Sequence, residues 1–142
     1  MDKKIKAMLD EEWDNEELFY NISDYCIDKE IKDGYEKLDE NEKHFFAIGK
    51  LLMEVNNGGF DQYFLNTEGE YIRDTLHFLN LIGETEFSKL FSKAVNIFES
   101  DKTDDEKDDA FCELDDEFYE LESSAYENLY DKCISYIKEQ VK

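Results

Sequence analysis

The sequence has no proline, only two histidines and three cysteines, and few basic residues, 16 Lys and Arg against 38 Asp and Glu. Each shortage excludes something. Cys26, Cys112 and Cys133 are odd in number and form no CxxC pair, so neither a disulfide framework nor a zinc knuckle is supported; they read as small buried hydrophobes in a reducing compartment. His44 and His77 are too few for a metal centre. Asp74 and His77 stand at i and i+3, but there is no second such pair and no HExxH, so both histidines are expected to cap helices or line the core. Neither GxGxxG nor GxxxxGKS/T is present to cradle a phosphate. No apolar run approaches the roughly 18 residues of a membrane span. The N-terminal MDKKIKAMLDEEW also lacks the continuous apolar stretch of a signal peptide. These readings predict a cytoplasmic protein with no metal and no cofactor.

What is present is enough for a core. The 142 residues are 41% hydrophobic and 15% aromatic, a length at which one domain buries about two-thirds of its unfolded surface, so residues 1–142 are read as a single all-helical acidic domain. With no proline, and six glycines spaced like helix stops, the class is all-α. Apolar residues recur at three and four: Leu18, Ile22, Tyr25, Cys26; Phe45, Ile48, Leu52, Val55; Ile72, Thr75, Leu76, Leu79, Ile82; Phe87, Leu90, Phe91, Ala94, Phe98. The longest stripe runs Leu114, Phe118, Leu121, Ala125, Leu129, Cys133, Tyr136, Ile137. Asp14 with Glu17, Asp39 with Glu42, Thr67 with Glu70 and Thr103 with Glu106 have capping-box spacing. The pattern predicts five or six helices at about 14–32, 40–56, 60–66, 69–82, 84–99 and 104–139, the last a long C-terminal helix with a possible break near 112.

Residues 54 to 69, EVNNGGFDQYFLNTEG, concentrate paired glycines, amides and aromatics. Asn56, Asn57, Gly58 and Gly59 follow a stripe ending at Val55, where a helix stops through a residue at positive φ. Phe60 is expected to fold back on the helix it leaves, and Gln62, Tyr63 and Asn66 to satisfy orphan backbone groups. The alternative makes Gln62, Tyr63 and Asn66 a polar pocket for a small ligand.

This segment, with LNLIG at 79–83 and LDDEFYEL at 114–121, resembles a bacterial family of DNA mimic proteins and relatives of unknown function. The resemblance covers about residues 40–139. Its long motif falls on Glu54, Val55, Asn57, Gly58, Gly59, Phe60, Gln62, Tyr63, Phe64, Asn66 and Gly69. It implies an all-α fold, a homodimer, and at least one relative that occupies the DNA-binding surface of a transcription factor. The motif itself is implied to be structural.

The net charge of -22 disfavours direct binding to nucleic acid or to an anionic membrane and points to basic partners. Residues 9–42 hold 14 acids and 3 lysines, and residues 99–122 hold 13 acids and 2 lysines, so each block nets -11. Duplex DNA carries a charge per roughly 1.7 Å of axis, so 22 charges match about 37 Å of duplex, comparable to the width of a chain this long. Like charges three or four apart repel by a few tenths of a kcal/mol per pair. The partner-binding residues expected are Asp101, Asp104, Asp105, Glu106, Asp108, Asp109, Glu113, Asp115, Asp116 and Glu117, with Trp13, Tyr20 and Tyr119 as neighbouring aromatics that add apolar contacts where exposed, and Phe19, at helical spacing, expected in the core. Residues 101–112 only superficially suggest a calcium loop, since Glu106 stands where glycine is needed and Cys112 where a bidentate acid is needed. No catalytic set is evident among so many carboxylates. The reading is a non-catalytic protein that binds the DNA-contacting surface of a basic DNA-binding protein. An immunity or antitoxin-like protein against a basic toxin is the alternative.

Overall fold

Three- and four-residue apolar spacing builds seven α-helices in the computed structural model, which describes residues 1–123 and 128–141. They are α1 Lys3–Leu9, α2 Asn15–Asp33, α3 Glu40–Thr67, α4 Ile72–Leu81, α5 Thr85–Phe98, α6 Asp104–Glu122 and α7 Leu129–Gln140, with a 3-10 turn Tyr35–Lys37 before α3. All regular elements among the described residues are helical.

The expected count of five or six helices and the long C-terminal helix are both overturned. α1 is an extra element: Asp2 caps it by accepting from the Lys4 and Ile5 amides, and Ile5 anchors it in the core. The stripe read as one helix from 104 to 139 belongs to two. α6 ends at Glu122, and α7 starts where the Asn128 side chain accepts from the Asp131 amide. The expected contribution of Ala125 lies outside the described residues. No break occurs near 112, where α6 is continuous.

α3 corrects the reading differently. The expected stop after residue 56 is a kink inside one element, with Gly58 and Gly59 out of helical φ/ψ. The capping boxes at Asp39–Glu42 and Thr103–Glu106 form in both directions, whereas Asp14 accepts from Glu17 without the return bond. Thr67 starts nothing. It ends α3, its hydroxyl donating to the Tyr63 carbonyl at 2.8 Å.

α3 is the central element, packed against α2, α4 and α6, while α5 lies on α4 and α6, α7 on α2, and α1 on α2. A continuous hydrophobic cluster runs from Ile5 of α1 to Ile137 of α7. Phe19, Phe45, Phe46, Phe60, Phe78, Phe91 and Phe118 are all fully buried in it, each worth roughly 1.5–3 kcal/mol of burial.

Candidate functional site

The kink in α3 and the acidic helix α6 form one unit. In an unbroken helix the amides of residues 59 and 60 would bond to carbonyls 55 and 56. At the kink, α6 supplies partners instead. The Phe60 amide donates to Asp115 Oδ1 at 2.9 Å, and the Tyr119 hydroxyl donates to the Val55 carbonyl at 3.0 Å. Asp115 and Tyr119 stand at i and i+4, so they share a face of α6. Phe118 between them meets the Phe60 ring edge-on at 5.7 Å, and Leu114 is buried alongside. The segment at 54–69 and the segment at 114–121 are thus the two halves of one clamp. Phe60 packs onto α6, its ring 5.7 Å from Phe118 and 6.2 Å from Phe111.

The amides play a different part from the one expected. Gln62 and Asn66 donate to Glu54 Oε2 at 2.8 and 2.7 Å, and Lys50 approaches Glu54 at 3.4 Å, so they hold a buried carboxylate and not orphan backbone. Burial opposes ionisation of Glu54, but these donors outweigh it and keep the carboxyl below its usual value. Tyr63 is buried with its hydroxyl facing Thr75 and Thr67, and burial pushes it up to about 12. Gly69, at φ +75, closes α3 where an added Cβ would strike the Phe98 ring.

Of the ten residues expected to bind a partner, Asp101, Asp104, Asp105, Glu106, Asp108, Asp109, Glu113, Asp116 and Glu117 are exposed. Asp115 is not free: it is half-buried on the Phe60 amide, and burial, then Asp116 and Asp108, raises its carboxyl. Glu106 also returns a bond to the Thr103 amide. At 3.6 residues per turn, Asp105, Glu106, Asp109, Glu113, Asp116, Glu117 and Glu120 fall within roughly 120° of arc. That face lies opposite buried Phe111, Leu114 and Phe118. Lys107, the single basic residue of α6, turns away and donates to the Phe98 carbonyl at 2.9 Å. No ion pair among the described residues involves a carboxylate of α6.

The other acidic block is put to more structural use. Asp14 and Asp39 cap helices, and Glu42, 2% exposed, pairs with Lys29 at 2.6 Å. The blocks meet in a cleft lined by Glu16 and Tyr20 of α2 and Tyr119 and Glu122 of α6. Here Glu122 Oε2 accepts from Tyr130 at 2.7 Å, Asn56 at 3.0 Å and Tyr20 at 3.4 Å, tying α2, α3, α6 and α7 together. Nothing local in the sequence marks Glu122 for this part. Phe19 is core, Tyr20 and Trp13 are half-buried, and Tyr119 is exposed. Cys112 is exposed on α6, contrary to its reading as buried.

The histidines also part. His77 is exposed and lines no core, while His44 is buried, its ring 4.5 Å from Phe78 and stacked 5.1 Å from Tyr136. Burial, then the nearby His77, lowers His44 from 6.5 to about 3. Below pH 6.5 the unfolded chain binds a proton that the folded chain refuses, so stability is lost as pH falls from 6.5 toward 3. The loss reaches about 2 kcal/mol by pH 5. His44→Phe should therefore gain about that much over the wild type between pH 7.5 and pH 5, measured by urea unfolding. An unchanged difference between the two pH values would contradict it.

Among the described residues no helix is long and apolar enough to cross a membrane. No curated protein and no solved structure matches the chain. The family described as DMP19-like protein matches residues 36–140. That span is well over half the chain and takes in α3 to α7, hence both halves of the clamp and the whole acidic face. The chain belongs to the DMP19-like protein family.

Proposed function

We propose that this protein is a non-catalytic DNA mimic whose α6 face occupies the DNA-binding surface of a basic protein. The observation that carries the reading is the uncompensated carboxylate array on α6. Nine exposed acids, from Asp104 to Glu120, lie on a helix of 19 residues, roughly 28 Å long. The seven of them on the outward face amount to about one charge per 4 Å, against one phosphate per 3.4 Å along a single DNA strand. A merely solubilising surface would gain from interspersed lysines. Here the one lysine of the helix is held at its base. The clamp on α3 fixes the array's position, so the charge is presented on a rigid support.

In this reading Asp105, Glu106, Asp109, Glu113, Asp116 and Glu117 of that face contact the partner, with Asp104 and Asp108 flanking it and Asp101 at the margin. Asp115 holds the scaffold. The partner is basic and binds nucleic acid, and the mimic itself binds neither DNA nor membrane.

The test is capture on the immobilised protein from a lysate of its source cells, eluted by salt or by added duplex DNA. The expected result is a nucleic-acid-binding protein released by duplex competitor and held weakly at about 0.5 M salt, because association through many charges falls steeply with ionic strength. A captured protein that ignores duplex competitor would overturn mimicry in favour of an antitoxin-like role.

A further inference from the structure

At the start of α6 the carboxylate array runs into a groove between the C-terminal ends of α3 and α5, with a volume near 480 Å³, within the range of ligand-sized sites. Its floor is a set of stacked rings. Phe64 lies 4.4 Å from Phe98 with the planes 9° apart, and 5.6 Å from Phe111. Phe98 is half-buried, so part of its ring reaches the groove. Leu65 forms an apolar wall and is 73% exposed. The rim carries Asp61, Glu68 and Asp104. Among the described residues lining the groove the one cation is Lys107, whose ammonium lies 5.9 Å from the centroid of the Phe98 ring and donates to the Phe98 carbonyl.

Three carboxylates against one ammonium leave the rim negative, and an aromatic floor beneath a negative rim selects a particular cation. A lysine ammonium is compact and strongly hydrated. A guanidinium is planar, weakly hydrated, stacks on ring faces and offers paired donors to carboxylates. Its methylene stem would lie along Leu65. Lys107 shows the charge logic within the chain, since its ammonium is held 5.9 Å from the centroid of that ring.

We infer that this groove receives an arginine side chain of the basic partner, its guanidinium between Asp61, Glu68 and Asp104 and against the part of Phe98 that Phe64 and Lys107 leave exposed. The inference rests on the mimic reading and deepens it. The array supplies long-range attraction, and the groove supplies a place for a side chain that otherwise grips a phosphate. It also gives the surface a means, absent from bare charge, of preferring arginine to lysine.

The test uses fluorescein-labelled Gly-Arg and Gly-Lys repeat peptides of equal length and charge, titrated at low salt and followed by anisotropy. The wild type should bind the arginine peptide about fivefold or more tighter, as expected for a guanidinium on a partly desolvated ring. Asp61→Asn/Glu68→Gln, which alters only exposed side chains, and Phe98→Leu, which keeps apolar volume, should each bring the ratio to within about twofold. Asp109→Lys/Asp116→Lys, on the open face of α6, should weaken both peptides alike and leave the ratio unchanged. Equal binding of the two peptides by the wild type, or a ratio untouched by the groove variants, overturns the arginine site. If the α6 variant still weakens both peptides in that case, the array reading stands alone.

Discussion

Gly59→Ala is expected to lower the unfolding free energy by about 3 kcal/mol or more. Two costs combine. Gly59 sits at φ 76 and ψ -178, a region that is essentially glycine's alone and costs other residues roughly 1–3 kcal/mol. In addition, a Cβ there would fall inside contact distance of the Asp115 carboxylate. That carboxylate cannot swing away freely, because it accepts the Phe60 amide, and an amide left unpartnered costs about 1–3 kcal/mol. Asp115→Ala alone should lose only this second part. The double variant should then be less destabilised than the sum of the singles by about 1 kcal/mol, because both changes break the same bond. Urea midpoints of the four proteins give the cycle. Strict additivity, or an alanine at 59 tolerated within about 0.5 kcal/mol, would mean that α3 is not held by α6 at this point.

That cycle bears on why the sequence is legible in some places and not in others. Asp39–Glu42 and Thr103–Glu106 are local devices, complete within four residues, and both helices begin where they say. The glycine pair is equally plain as a departure from helix. The path of the chain beyond the pair depends on Asp115 and Tyr119, more than fifty residues downstream, which satisfy the freed groups and let the chain re-enter a helix as part of α3. A stop and a clamped kink have the same local sequence. Thr67–Glu70 misleads for the opposite reason: the spacing is right, but the Thr67 hydroxyl is engaged by the Tyr63 carbonyl behind it. The division of α6 from α7 is masked by an apolar stripe that stays in phase from Leu114 to Ile137, although Asn128, three residues before Asp131, is a readable start signal. The acidic stretch itself is plain. Composition does not separate its working parts, and coordinates assign Asp115 to the scaffold while leaving its neighbours facing solvent.

Replacing Asp108, Asp109, Asp116 and Glu117 by lysine should reduce partner capture by at least about 100-fold while leaving the fold as stable as before or slightly more so. These four are chosen on structural grounds. They are exposed and lie away from the capping box at Thr103 and Glu106, and the Asp115–Phe60 bond is untouched. Each replacement exchanges a negative for a positive charge, so four of them move the net charge from -22 to -14. The protein remains acidic, and a loss of capture would reflect position more than total charge. Stability should not fall. Asp105, Asp109, Glu113 and Glu117 are like charges at four-residue spacing, and lysine at 109 and 117 turns that repulsion into attraction, a gain of about 1 kcal/mol summed over the helix. Circular dichroism and thermal melting report on that side, and capture with duplex competition on the other. The same number of lysines placed on the solvent face of α2, at Glu17, Asp24, Asp28 and Asp33, should weaken capture far less. Equal losses from both helices would show that overall charge and not the α6 face does the binding, and a collapse of helicity in the α6 variant would show that its acids hold the structure together.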